Sequence, residues 1–364
     1  MDSLQEIQSA IDSFYEQTKK LVGTTIVERE NWNNTVTFES VKHYAYGIGD
    51  DSPRWVDANY VIAGGRRVAP PAYLTSVFYP MLHGANIQAP LSSLIGEIEY
   101  IWSSPVYVGD AITANATISD CYEKTGRKGR RMIFVISKVE YMNQKKEKIA
   151  ESKGTMIRST QVGSELMLQR SVYRYSQSEL EQIEKQIMMK FRRGHEGRKF
   201  SEVKVGDDLG AVVKGPLTIG DMVAWNAGNG PGYRAAELAW KDVRKSPHTA
   251  VINPLTGHPV KYSLQHEDLH LSSQRGMPLP FANGVMVFAW CSTLITSWIG
   301  DSDLLSNLRV RLGEPYFYGD TAWVAGKVAS RETVNGKNVV GIELAATNQL
   351  GGSMASGSAK VVLQ

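Results

Sequence analysis

His266 is the residue of this chain best suited to chemistry. Its imidazole titrates near neutral pH, so it can take a proton from water and return it to a substrate carbon. It stands in the run His266-Glu267-Asp268, and eighteen positions on Gly284 opens an apolar stretch that reads as a helix. A helix N-terminus carries N–H groups without intrahelical partners and the positive end of the macrodipole. At a glycine no side chain shields that amide, so it is a natural donor to negative charge developing on a carbonyl oxygen. The chemistry these two residues suggest is proton transfer at carbon coupled to stabilisation of an oxyanion. Read the other way, Gly284 merely permits a tight turn from loop to helix. Ser292, eight positions further along, either bonds a ligand or bonds back to a helix carbonyl.

Other reactive residue types are placed less suggestively. His83, His195, His248 and His258 show no metal-ligand spacing, and Cys121 and Cys291 are too far apart to suggest zinc or a disulfide framework. His270 is four positions after His266, the separation of a metal-binding pair on a helix. Lys and Arg total 40 against 37 Asp and Glu, a net charge of +3, too balanced for the single-sign field that nucleic acid or a membrane surface attracts. Asp2, Glu6, Asp12 and Glu16 interrupt the N-terminus and exclude a secretory signal. No apolar run reaches the roughly 20 residues of a membrane span. These features predict a cytoplasmic protein with no metal, cofactor, nucleic-acid partner or membrane partner.

The chain contains a repeat that must position these residues. Pro105-Val106-Tyr107-Val108-Gly109-Asp110 returns as Pro315-Tyr316-Phe317-Tyr318-Gly319-Asp320, a separation of 210 positions, and Asn143-Gln144 returns as Asn348-Gln349 after 205. Upstream of each hexamer lies a long apolar segment, Val68 to Leu82 and Phe281 to Ile299, whose length argues for a helix enclosed by protein. Downstream come alternating strands: Ala111 to Thr117, Met132 to Tyr141 and Ile149 to Ile157, then Thr321 to Val328, Asn338 to Thr347 and Ser353 to Leu363. Gly126 to Arg131 reads as a small turn insertion in the first copy. The class is α+β, two copies of a curved antiparallel sheet around a central helix. Ser176 to Phe191 reads as an amphipathic helix capped by Ser176 or Ser178, followed by a polar connector from Arg192 to Lys199. The expected organisation is an N-terminal domain over 1–160, a helical linker over 161–200 and a C-terminal domain over 201–364.

Two motifs give this arrangement a family likeness. Tyr44-Ala-Tyr-Gly-Ile-Gly-Asp50-Asp-Ser52-Pro53-Arg-Trp55-Val-Asp57 resembles the signature of MaoC-like (R)-specific enoyl-CoA hydratases, in which an aromatic-Ala helix leads into Gly-Asp-x-Asn-Pro-x-His-x-Asp. His266-Glu-Asp268 followed by Gly276-Met-Pro-Leu-Pro280-Phe-Ala-Asn283-Gly284-Val-Met286 resembles the downstream part of the same signature. The spacing from His266 to Gly284 and then to Ser292 is in the family's register. The resemblance covers both repeats and implies two tandem hotdog domains. It also implies an acyl-CoA thioester substrate, hydro-lyase activity within acyl-chain metabolism, and catalysis by His266 with the Gly284 N–H as oxyanion donor. Asn283, beside that amide, and Ser292 become substrate contacts, and His270 falls on an outer face.

The first copy lacks both groups: Trp55 stands where the family has its histidine, and Pro70-Pro71, which begins the corresponding helix, has no N–H to offer. That half is expected to be catalytically degenerate and to make room for the acyl chain, with Asp50 and Trp55 near the substrate, or with Asp50, Ser52 and Asp57 structural, capping and bracing the turn after the Tyr44 helix. The second copy departs in one place. The family's aspartate, five residues before its histidine, is Lys261 here. Asp221-Met-Val-Ala-Trp225-Asn-Ala-Gly228-Asn229 aligns with the Tyr44 helix and puts Asn229 opposite Asp50, separated from His266 by an insertion. That insertion is either a lid over the substrate or surface decoration. If it loops out, Asn229 and His266 meet around one water. Asparagine can orient water but cannot take its proton, which leaves three readings. His266 acts as the only proton-transfer group; Glu267, Asp268 or Asp50 replaces the aspartate; or the chain binds acyl-CoA without turning it over. Hotdog proteins also include thioesterases. Pairing of two such chains into a homodimer is compatible with all three.

Overall fold

Elements of the first half follow one another in the order the repeat demands. The computed structural model describes residues 4–26, 32–60, 65–87, 91–126, 129–160, 169–189, 192–230, 234–301 and 304–363. The first half comprises α1 (Leu4–Lys20), β1 (Thr25–Ile26), α2 (Phe38–Gly47), α3 (Pro53–Val56) and a 3-10 turn, Pro71–Tyr73, continued by α4 (Leu74–Val77). The strands β2 (Leu91–Trp102), β3 (Thr113–Thr125), β4 (Arg131–Met142) and β5 (Lys148–Thr160) follow. The connecting helix is α5 (Gln177–Met188), capped by Ser176 in a capping box with Glu179.

The second half repeats the plan with an insertion. It runs β6 (Asp208–Lys214), α6 (Ile219–Asn229), α7 (Ala236–Lys245), a hairpin of β7 (Ala250–Ile252) and β8 (Pro259–Lys261), and a 3-10 turn Tyr262–His266. Then come α8 (Leu269–Gln274), α9 (Gly284–Ile299), β9 (Leu304–Leu312), β10 (Ala322–Val334), β11 (Lys337–Asn348) and β12 (Ser353–Leu363). Part of the expected turn insertion at 126–131, the end of the expected helix at 190–191 and the Pro231-Tyr233 stretch lie outside the described residues.

Ten strands form one sheet in the order β1-β3-β4-β5-β2-β9-β12-β11-β10-β6, and β7 and β8 pair separately. The two halves of that order are equivalent, and they meet where β2 pairs antiparallel with β9. Neither central strand was among the expected ones, although Leu305, Leu308 and Val310 of β9 are buried in partial alternation with polar residues. The apolar core is continuous from one half to the other.

The two central helices differ. α9 forms because Asn283 caps it, its Oδ1 accepting from the Val285 N–H at 3.0 Å, and because no proline interrupts it before Gly300. Its residues are buried on nearly every side, Phe288, Trp290 and Trp298 among them. The expected helix over 68–82 is instead a 3-10 turn and the single turn α4. Tyr79 precedes Pro80, a position that disfavours helical backbone, and Phe78 has already turned extended. Beyond it the chain lies directly on the sheet, where a Cβ on Gly154 of β5 would overlap the Pro80 carbonyl. Among the described residues no helix is long and apolar enough to cross a membrane.

Candidate active site

Matching hydrogen bonds identify which residues of the two halves occupy equivalent places. The Asp57 N–H donates to Pro53 O at 3.0 Å, and Asp57 Oδ1 accepts from Asn59 N at 2.8 Å. Asp268 repeats both, with its N–H on Leu264 O at 2.9 Å and its Oδ1 accepting from His270 N at 2.8 Å. Each aspartate thus braces a turn, and the residue two positions earlier is Trp55 in one half and His266 in the other. Likewise the Ala69 N–H donates to Val106 O and the Ala282 N–H to Tyr316 O, both at 2.8 Å. Two positions on, Pro71 therefore stands where the second half has Gly284.

His266 ends its 3-10 turn half-buried, with Nδ1 2.7 Å from Phe281 O and the two rings 4.6 Å apart. A carbonyl oxygen only accepts, so Nδ1 carries the proton and Nε2 of the neutral ring keeps the lone pair. Burial pushes the imidazole below its usual range, and the Phe281 hydrogen bond offsets part of that shift. Burial thus favours the neutral ring, while the Phe281 carbonyl, in the loop that leads into α9 three residues later, defines which nitrogen is basic.

Gly284 opens α9. Among the described residues no protein acceptor takes its N–H. A Cβ at this position would overlap Leu312 Cδ1 and come within 3.2 Å of Ile95 Cδ1, so the helix start presses against β2 and β9 at the centre of the sheet. Asn283, expected to contact substrate, spends its Oδ1 on the helix cap and on the Tyr79 hydroxyl at 3.4 Å. Ser292 is buried within α9.

Asn229 is placed differently from its expected role. It ends α6, and its Oδ1 accepts from Thr75 Oγ1 of the first half at 3.1 Å; no hydrogen bond joins it to His266. The register also corrects its partner in the repeat. Thr37 and Thr218 cap α2 and α6 with the same capping box, and Gly47 and Gly228 lie where these helices cross. This puts Asn229 opposite Ile48, and Asp50 opposite position 231, outside the described residues. One turn earlier, Asn226 Nδ2 donates to Glu267 Oε1 at 2.7 Å, tying α6 to the histidine's neighbour. That pairing could have been found only from the correct helix register.

In the first half, Trp55 uses its ring nitrogen as a histidine would: Nε1 donates to Asp50 Oδ2 at 3.2 Å. Asp50 is 3 % exposed and also accepts from Ser52 N at 3.1 Å, Thr293 Oγ1 at 3.3 Å and Arg192 Nη2 at 3.4 Å. With those oxygens occupied and Trp55 2 % exposed, both residues pack as structural groups; this agrees with the bracing role expected of Asp50 and does not favour contact of either with substrate. The cavity lined by Trp55, Pro71 and Trp102 is about 30 Å³, space for a water molecule and not for an acyl chain.

The symmetry of that arrangement, a histidine and bare amide in one half and a tryptophan and proline in the other, sits on a sheet whose likeness to solved structures settles the fold. A MaoC-like dehydratase superposes over 95% of this chain and 100% of its own with a TM-score of 0.62 at 17% identity. The chain has the MaoC-like double-hotdog fold. A double-hotdog protein from Mycobacterium tuberculosis covers 94% of it and 96% of its own length, with a TM-score of 0.56 and 10% identity. The peroxisomal multifunctional enzyme type 2 of Drosophila melanogaster covers all of it with a TM-score of 0.55 and 13% identity, using 53% of that longer chain. Residues 20–152 match the family model "FAS1-like, dehydratase domain region". No curated protein matches the sequence. These likenesses show the double-hotdog fold. The matched family region covers the half that lacks the histidine and the free amide.

Proposed function

We propose that this double hotdog catalyses reversible hydration of a 2-enoyl-CoA, equivalently dehydration of a 3-hydroxyacyl-CoA. His266 Nε2 takes a proton from water as the oxygen bonds to C3. The electron pair of the double bond moves onto the thioester, where the Gly284 N–H stabilises the enolate oxygen, and the imidazolium returns its proton to C2. One residue serves as base and then acid, so no carboxylate partner is required. The observation that carries this reading is the Nδ1–H···O=C bond to Phe281, which fixes the tautomer three residues before the unoccupied amide. Mixing the protein with an enoyl-CoA should bleach the conjugated thioester absorbance, and His266→Ala should abolish that; retained activity in the variant ends the proposal.

A second reading, thioester binding without turnover, is favoured by the carbonyl being the imidazole's hydrogen-bond partner where the family has a carboxylate-assisted site. It is separated by the same assay: acyl-CoA binding across a chain-length panel with no absorbance change. Thiol release followed in parallel detects thioesterase activity.

A further inference from the structure

Several buried or half-buried arginines face a carboxylate: Arg54 pairs with Asp301 at 3.7 Å, Arg131 with Glu123 at 2.5 Å and Arg170 with Asp320 at 2.5 Å. Arg158 does not. It lies on β5 on the same side as Gly154 and Met156, the side that carries the helices, directly opposite Ser93 of β2. Its Nη1 donates to His83 O at 3.2 Å and its guanidinium lies 4.8 Å from the Phe14 ring. Among the described residues no carboxylate forms an ion pair with it. Arg158 Nε and Ser93 Oγ are buried without a hydrogen-bond partner. Arg275 reaches the same corner, its Nη2 on Leu91 O at 3.3 Å and its guanidinium 5.2 Å from the Tyr262 ring. Burial pushes the Arg158 guanidinium down to about 10; Tyr262 offsets some of that shift, while the charge of Arg275 adds to it. A buried cation without a counter-charge is costly, and a buried donor left unmade is costly too. Both costs are removed by an anion.

The position of this corner says whose anion it is. Ser93 is one same-face step along β2, about 7 Å, from Ile95, and Ile95 packs against the start of α9 at Gly284. Tyr262 opens the 3-10 turn that ends at His266. We propose that Arg158, with Ser93 and Arg275, seats an oxyanion carried by the thioester ligand: a phosphate of the coenzyme or a carboxylate at the far end of the acyl group. Guanidinium groups bind both in the same forked geometry. This assignment rests on the thioester reading of the site but not on turnover.

The test is calorimetric titration of the wild-type protein and Arg158→Gln with CoA, pantetheine, valeryl-CoA and glutaryl-CoA, all free of a reactive double bond. If the anion is the coenzyme phosphate, the substitution weakens CoA and both acyl-CoAs by about tenfold or more and leaves pantetheine unchanged. If it is the acyl carboxylate, only glutaryl-CoA weakens. Equal weakening of pantetheine, unchanged affinity for all four ligands, or wild-type binding of none overturns the proposal. Arg158→Lys, which keeps the charge but not the fork, should bind with intermediate affinity and guards against a variant that fails to fold. Arg158-dependent binding without enoyl turnover would leave this seat standing while the proposed reaction falls; turnover with Arg158-independent binding would do the reverse.

Discussion

His266 is held neutral by burial, and that has opposite consequences for rate and stability that can be measured separately. Because its folded pKa lies below the ordinary 6.5, the basic form persists on mild acidification, and kcat/KM should fall on the acid side only at pH values below 6.5. His266→Gln should lower kcat by about 10²–10⁴-fold, the usual contribution of a general acid–base. For stability, the unfolded chain binds the proton more readily than the folded one. The stabilisation from this group is therefore complete above about pH 6.5 and is lost as pH falls below it. Thermal melts should show this acid-side loss, and His266→Gln should reduce it; an unchanged slope would mean that the imidazole is not desolvated. In the degenerate half, Asp50→Ala strands the Trp55 ring N–H and the Thr293 hydroxyl in the core, at about 1–3 kcal/mol for each buried group left unmatched. Chemical denaturation would register that loss with little change in rate. The sequence disclosed His266 and Gly284 because their residue types announce chemistry. It did not disclose the partner of His266, because Phe281 acts through its carbonyl and every residue has one.

Helices and strands were legible to the extent that a local pattern decided them. α9 was readable because its apolar run, its asparagine cap and its glycine stop agree. The same apolar length around Leu74 misled, since composition alone did not register how strongly Pro80 ends a helix. β2 and β9 were overlooked because their alternation is partial: in β9 buried Leu308 and Val310 alternate with exposed Arg309 and Arg311, but Leu304-Leu305 and Ser306-Asn307 break the pattern. The crossing of α2 and α6 was invisible until the two capping boxes fixed the register. There Gly228 lies against the His43 carbonyl, and Gly47 would bring a Cβ to 2.9 Å from Ala224 O. Gly228→Ala must push one backbone off another, a cost of about 1–3 kcal/mol of the overpacking kind. Gly220→Ala, an exposed position in the first turn of the same helix, should be neutral or mildly stabilising because alanine favours helix. Equal midpoints for the two variants in urea would show that the helices do not cross as tightly as described. The crossing also carries Asn229, so the Gly228 variant should disturb its bond to Thr75 before it disturbs His266.

At the scale of the whole molecule the two halves are coupled so thoroughly that neither has a finished core. β2 and β9 pair through Glu97↔Arg311 to Ile101↔Asn307, and Glu97 is bridged by Arg309 at 2.9 Å and Arg311 at 3.5 Å. Those exposed ion pairs add little. The coupling that matters is buried. Trp290 of α9 donates to Ile48 O at 3.1 Å, Thr293 to Asp50, and Asn33 Nδ2 to Gly228 O at 3.2 Å, each bond crossing from one half to the other. The first half has only the short α4 at its centre, and α9 adds to its cover, the Phe288 ring lying 5.3 Å from Tyr100 of β2, while α6 packs on α2. Chemical unfolding of the full chain should accordingly be a single transition by fluorescence and far-UV dichroism alike. Residues 1–160 expressed alone should not melt cooperatively as a monomer, because separation exposes the β2 edge and the surface that α6 and α9 cover. If that fragment stays monomeric and melts cooperatively, the degenerate half is an independent domain. The tryptophan at 55 would then have been kept for its own fold and not for the support it gives the active half.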